Sequence, residues 1–193
     1  MSVKTAIVYH SGYGHTEVVA KAVARGAGEK GAAQLIPISA EGKITDAEWA
    51  ALKDADAIIF GAPTYMGAAS AQFKIFADAS SKPWFTQEWK NKVSGGFTNS
   101  HSLSGDKLAT LKQFSILAAQ HGMIWVSLGE PAAQQEGEAH QRGGHQVNRL
   151  GSFLGVMTQA ENVAPEGSIP EGDLKTAEIY GARVAGIAAK LAA

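Results

Sequence analysis

The segment "AIVYHSGYGHTEVVAKAVARG", residues 6–26, decides how the chain is read. The apolar run that leads into it, Val3 to Tyr9, is too short for a helix and suits a buried strand. Ser11-Gly12-Tyr13-Gly14-His15-Thr16 then breaks the pattern. Val18, Val19, Ala22, Val23 and Ala27 follow at three- and four-residue spacing, which predicts an amphipathic helix ending near Gly28–Gly31. The loop therefore sits where a strand hands over to a helix N-terminus, a place that favours an anion.

The same alternation continues along the chain. Gln34 to Ile38 reads as a second strand, and Pro37 places it at a sheet edge, where a missing N–H does least harm. Thr45 and Glu48 have capping-box spacing and open a short helix through Leu52. Ala57 to Gly61 is apolar without interruption, as in a strand buried on both faces. A helix from Ser70 to about Ala79, a strand from Val93 to Phe97, a helix from Asp106 to Gln120 and a strand from Met123 to Val126 follow. The last helix, about Asp173 to Leu191, carries Leu174, Ala177, Gly181, Val184, Ala188 and Leu191 on one face. Five strands alternating with helices predict a parallel sheet covered on both sides.

The 193 residues suit a single domain, 1–193, with an irregular segment at about 129–170. That segment is rich in Gly, Gln, Glu and His. Its apolar group Leu150–Met157, with Phe153, Leu154, Val156 and Met157, suits either an interface or a return over the sheet. Lys and Arg total 17 against 18 Asp and Glu, so charge gives no case for nucleic acid. No stretch has the length of apolar sequence that spans a bilayer, and the expected location is the cytoplasm. The absence of cysteine excludes disulfides and thiolate chemistry. His140 and His145 straddle Arg142-Gly143-Gly144 without the carboxylate or cysteine support that a metal site needs, so no metal is expected.

In an open parallel sheet, ligands bind beyond the carboxyl ends of the strands. The loops at 10–16, 61–70 and 97–105 leave such ends. The first has no Lys, which rules out a Walker loop, and Glu17 stands where a dinucleotide fingerprint needs its third glycine. Gly61 replaces the aspartate that a phospho-accepting receiver needs after its third strand. A loop with hydroxyls at both ends, Ser11 and Thr16, and no cation suits a terminal phosphate monoester such as that of flavin mononucleotide (FMN). "GAPTYMGAASAQFKIF", 61–76, repeats the strand, turn and helix order. There Pro63 and Gly67 can bring backbone to a flat ligand, Thr64 can offer a hydroxyl, and Tyr65 and Met66 can pack on a ring. "FTNSHSLSGDK", 97–107, supplies small polar groups.

Three motifs are shared with a known family: S-x-Y-G-H-T at 11–16, G-x-P-T-x-x-G-x-x-S-x-Q at 61–72 and His121-Gly122-Met123 before the fifth strand. With Trp84, Arg142-Gly143-Gly144 and the closing "YGARVAGIAAKL", they make the chain resemble the WrbA-type multimeric flavodoxins, over nearly its whole length. These are FMN-dependent NAD(P)H:quinone oxidoreductases. The resemblance implies a flavodoxin-like three-layer α/β sandwich with a five-stranded parallel sheet in the order 2-1-3-4-5. It also implies FMN as cofactor, NADH or NADPH as co-substrate, a quinone as acceptor and a homodimer or homotetramer.

Carried over by residue, Ser11, Gly12, Tyr13, Gly14, His15 and Thr16 would hold the FMN phosphate. Pro63, Thr64, Tyr65, Met66 and Gly67 would border the isoalloxazine ring. Thr98, Asn99, Ser100, His101, Ser102 and Ser104 would meet its polar groups. His121 would contact FMN across a subunit boundary, Tyr13 would help place the nicotinamide, and Trp84 would wall the quinone site. The chemistry would be centred on the flavin, with His101 as an outside candidate for a proton donor. The family commonly has Arg and Phe at the positions of Tyr65 and Met66, and a glycine-rich run where this chain has Ser100 to Asp106. Its insertion after the second strand is also longer. Two other readings share the fold: an electron-carrier flavodoxin without NAD(P)H turnover, which strong acidity would favour, and a flavin-free interaction protein.

Overall fold

A computed structural model describes residues 2–133 and 144–192. Its strands are β1 (Val3–Tyr9), β2 (Gly31–Pro37), β3 (Ala57–Tyr65), β4 (Ala68–Ala69), β5 (Val93–Ser100), β6 (Ile124–Trp125) and β7 (Val156–Gln159). Its helices are α1 (His15–Gly28), α2 (Asp46–Asp54), α3 (Ala71–Ala79), α4 (Ser81–Phe85), α5 (Lys107–Gln120) and α6 (Glu171–Leu191).

The sheet runs β2-β1-β3-β5-β6 with all four pairings parallel. This is the expected 2-1-3-4-5 order, since β4 is a short antiparallel addition to β3. Alternate residues of each strand face opposite sides, so the sheet supports two cores. Val3, Ile7 and Tyr9 of β1 and Ala57 and Ile59 of β3 pack under α1 and α6 with Val19, Val23, Ala177, Tyr180 and Val184. Ala6, Val8, Ile58 and Phe60 face the other way, against Leu52, Phe73, Phe76, Leu111 and Phe114 of α2, α3 and α5. β2 lies at the edge, so Pro37 costs the sheet no interior bond. Thr45 accepts from Glu48 N–H while the Glu48 carboxylate receives the Thr45 N–H, which completes the predicted capping box.

The fifth sheet position is divided. β6 pairs with only the start of β5, at Val93 and Ser94. β7 takes over along Phe97 to Ser100, also parallel. The segment predicted to be irregular thus returns to its own sheet. Val156 is fully buried in the core, and Leu154 and Met157 pack against Phe114's cluster, while Phe153 stays exposed. Tyr180 locks this edge from α6: its hydroxyl donates to the Val126 carbonyl at 2.6 Å and accepts from Gly96 N–H at 3.1 Å. No helix among the described residues is long and apolar enough to cross a membrane.

Candidate functional site

A cleft of about 440 Å³ opens beyond the carboxyl ends of β1, β3 and β5. Its walls come from the three loops singled out in the sequence: Ser11, Tyr13, His15 and Thr16; Pro63 to Gly67; and Asn99 to Ser102. Gly105, Asp106, Ala160, Glu161 and Asn162 complete it. The last three follow β7, so the divided fifth strand delivers a fourth wall that sequence reasoning missed.

At one end is the N-terminus of α1. Gly14 is its N-cap with φ of 89° and has no side chain to cap it. The Ser11 hydroxyl reaches forward to accept from Glu17 N–H at 3.1 Å. That leaves the N–H groups of Gly14, His15 and Thr16 without intrahelical acceptors, the usual state of a first turn. Ser11 keeps its own proton to donate. His15 Nε2 donates to the Val163 carbonyl at 2.9 Å, so its ring ties the loop to the chain after β7. Gly12 and Gly14 shape the loop without lining the cleft.

Across the cleft, Tyr65 and Ala68 pair at the end of the β3–β4 hairpin, and Met66 and Gly67 form its two-residue turn. Both have positive φ, 48° and 81°, as a type I′ turn requires. Met66 is consequently held at the tip, fully exposed. Tyr13 and Tyr65 meet edge-on with ring centroids 6.3 Å apart. The Thr64 hydroxyl, expected to face a ligand, turns inward instead. It bonds Thr98 Oγ1 at 2.8 Å and Thr110 Oγ1 at 2.7 Å, while Thr98 donates to the Ala62 carbonyl. Thr98 is fully buried and supports the floor rather than lining it.

The polar wall at 99–102 is braced from behind. Thr158 of β7 donates to the Asn99 side-chain oxygen at 2.8 Å, leaving the amide NH2 as the group Asn99 can offer. Lys107 Nζ donates to Ser100 Oγ and to the Ser102 carbonyl. His101 Nδ1 donates to the Ala160 carbonyl at 3.1 Å. That bond leaves Nε2 as the ring nitrogen His101 can turn to the cleft. Ser104 faces a neighbouring depression with Leu108 and Met157.

His121 and Trp84 do not line this cleft. α5 begins at Lys107 beneath it and ends, roughly 20 Å further on, at Gln120. Trp84 Nε1 donates to the Gln120 carbonyl at 2.8 Å. His121 is 3 % exposed, lies 4.2 Å from the Trp89 ring and bonds Ser80 Oγ at 2.9 Å. Its ring is packed inside its own chain, with no face to present to a neighbouring subunit's flavin. Burial drives its pKa down to about 4. Arg142 and Gly143, and His140, lie outside the described residues. Among the described residues no cluster of His, Asp or Glu could hold a metal ion.

Residues 12–138 match the family model described as NADPH-dependent FMN reductase. The chain belongs to this family. It is an FMN oxidoreductase of flavodoxin-like fold. It is 48% identical over 188 residues to the flavodoxin FldP of Pseudomonas aeruginosa, covering 97% of this chain and 98% of that one. It is 33% identical to an NAD(P)H dehydrogenase (quinone) of Archaeoglobus fulgidus, covering 96% of this chain and 97% of the relative. A crystal structure of a WrbA-like flavodoxin from Agrobacterium tumefaciens superimposes with a TM-score of 0.79 at 50% identity, covering 98% and 99% of the two chains.

The donor set fits FMN. The open N–H groups of the α1 turn with the Ser11 and Thr16 hydroxyls suit its phosphate, and the Tyr13–Tyr65 edge suits an aromatic ring. The 99–102 wall offers polar groups to the ring's heteroatoms.

Proposed function

We propose that this chain moves two electrons from NADH or NADPH through FMN to a quinone, with the cleft at 11–16, 63–67 and 99–102 as the site. Bound FMN supplies the redox chemistry, accepting electrons from the nicotinamide and passing them to the acceptor. The residues bind and orient. Ser11 and Thr16, with the N–H groups of the α1 turn, hold the phosphate. Tyr65 and Met66 border the ring, and Asn99 with the Ser100–Ser102 backbone meets its polar edge. Tyr13, 77% exposed at the rim, is placed to meet a nicotinamide.

The observation that carries this reading is the junction of the open first-turn N–H groups of α1 with two tyrosine edges and a polar loop in one cleft. A dimer or tetramer, a quinone acceptor and a cytoplasmic setting are parts of the same proposal.

The FldP relative is named a flavodoxin, so an electron carrier without NAD(P)H turnover is the competing reading. A net charge of −1 gives such a carrier little to dock with on a basic partner. Titration of the apoprotein with FMN, followed by steady-state NADH and NADPH oxidation with benzoquinone, separates the two. Tight FMN binding with turnover supports the proposal. Binding without turnover favours the carrier, and a protein that takes up no FMN overturns both. Ser11→Ala with Thr16→Ala should weaken FMN at least tenfold and riboflavin, which lacks the phosphate, far less.

A further inference from the structure

Lys107 opens α5 directly behind the polar wall of the cleft, and its side chain has no exposed surface. An ammonium removed from water costs the fold heavily unless it is paired. Its Nζ finds neutral acceptors: Ser100 Oγ at 2.9 Å and the Ser102 carbonyl at 2.6 Å. Among the described residues no carboxylate forms an ion pair with it. Asp173 and Arg149 act on it from a distance with opposite signs, Asp173 the more strongly, but they are engaged with each other. Burial brings its pKa down to about 8, so it still carries its proton at neutral pH.

Both acceptors stand in the cleft wall. A buried cation that makes no ion pair, behind a wall of small polar groups, makes that wall electropositive in a setting where water screens poorly. A neutral ligand gains little from it. A ligand that becomes more negative gains a good deal.

We propose that Lys107 is a positioning residue of the FMN site that also tunes its redox balance: it fixes the Ser100–Ser102 wall, and its charge favours reduced over oxidised flavin. The inference rests on the FMN reading of the cleft. Two-electron reduction adds negative charge to the polar edge of the ring, and the Lys107 field acts through the wall that would meet that edge. No proton need leave the lysine.

The test uses the FMN-loaded protein as wild type, Lys107→Met, Lys107→Arg and Ser100→Ala. Flavin fluorescence gives the FMN Kd, and equilibration with a reference dye gives the two-electron midpoint potential. Lys107→Met should lower the ratio of reduced to oxidised affinity about tenfold, a drop of roughly 30 mV for a two-electron couple. Lys107→Arg should stay within about threefold of wild type in that ratio. Ser100→Ala should weaken oxidised and reduced FMN alike and leave the potential in place. Should Lys107→Met fail to fold, Lys107→Gln, which keeps donors but loses the charge, should show the same drop. An unchanged potential in the neutral variant, or an equal drop in Lys107→Arg, overturns the proposal while FMN binding itself stands. A wild-type protein that takes up no FMN overturns the parent reading, and this one with it.

Discussion

Arg149 and Asp173 meet through two parallel bonds, Nε to Oδ1 at 2.7 Å and Nη2 to Oδ2 at 3.0 Å, with the two side chains 5% and 2% exposed. The pair does more than join the chain after residue 144 to α6. Asp173 Oδ2 also accepts from Gln159 N–H at 2.8 Å, and Arg149 Nη2 donates to the Gln159 side chain at 2.9 Å. Gln159 ends β7, and Ala160 to Asn162 follow it into the cleft wall. Asp173→Asn should therefore act twice. It removes the carboxylate that pairs with a buried guanidinium, for a loss of about 3–5 kcal/mol in urea unfolding. It also loosens the fourth wall, so FMN should bind more weakly. Arg149→Met with Asp173→Leu should recover stability relative to the single variant, because the apolar pair also removes the charge whose carboxylate was lost. A single variant of wild-type stability would show that the pair does not hold this edge.

Gly14 offers a sharper test of how the α1 loop depends on the chain after β7. Its φ of 89° suits glycine, and a Cβ there would lie 2.6 Å from Pro165 Cγ. Gly14→Ala should cost about 1–2 kcal/mol in backbone strain alone. It should also push the loop and Pro165 apart, weakening FMN several-fold by fluorescence titration. Pro165→Ala removes the side-chain clash but not the strain, so the double variant should recover part of the affinity. Strict additivity of the two changes would show that the contact is not felt.

The framework was legible because short apolar runs and helical spacing are local signals. The uninterrupted run Ala57 to Gly61 marked a strand buried on both faces, and Ala177, Gly181, Val184 and Ala188 fall on the buried face of α6 as their spacing predicts. β7 was not legible. Val156–Gln159 is four residues long, and its pairing with Phe97–Ser100 exists only once the sheet has formed. The burial of Lys107 was not legible either, because nothing local predicts a loop folding over it. His121 and Trp84 are instructive in the other direction. Both precede strands, so the rule that ligands gather at carboxyl ends already placed them at the far end of the sheet. The resemblance assigned His121 to a neighbouring subunit's flavin and Trp84 to the quinone site, and the topology keeps both away from the cleft of their own chain.

His121 should leave a signature in stability against pH. In the folded chain its pKa lies near 4, lowered by burial, against an ordinary value of 6.5. Below pH 6.5 the unfolded chain takes up a proton that the folded chain refuses. Stability from this group is complete above that pH and declines as pH falls toward 4, by at most about 1.4 kcal/mol per unit. His121→Gln should remove that slope from urea unfolding measured between pH 4.5 and 7.5, whatever its offset in absolute stability. Parallel slopes in the two proteins would mean that the imidazole protonates freely in the folded state.

Tyr65 bears on co-substrate choice. The described lining of the cleft contains Asp106 and Glu161 but no Lys or Arg. The phosphates of NADH or NADPH would therefore approach without a cation to meet them. Tyr65 stands at the mouth, 40% exposed and edge-on to Tyr13, at the position where the resembled family commonly carries Arg. Tyr65→Arg should lower the KM for NADPH about three- to fivefold at low salt, the worth of one half-exposed ion pair. Most of that gain should vanish at high ionic strength, because the pair is solvent-screened. An unchanged KM in steady-state assays at low salt would mean that the nucleotide's phosphates do not pass Tyr65, and that the nicotinamide reaches the ring from another side of the cleft.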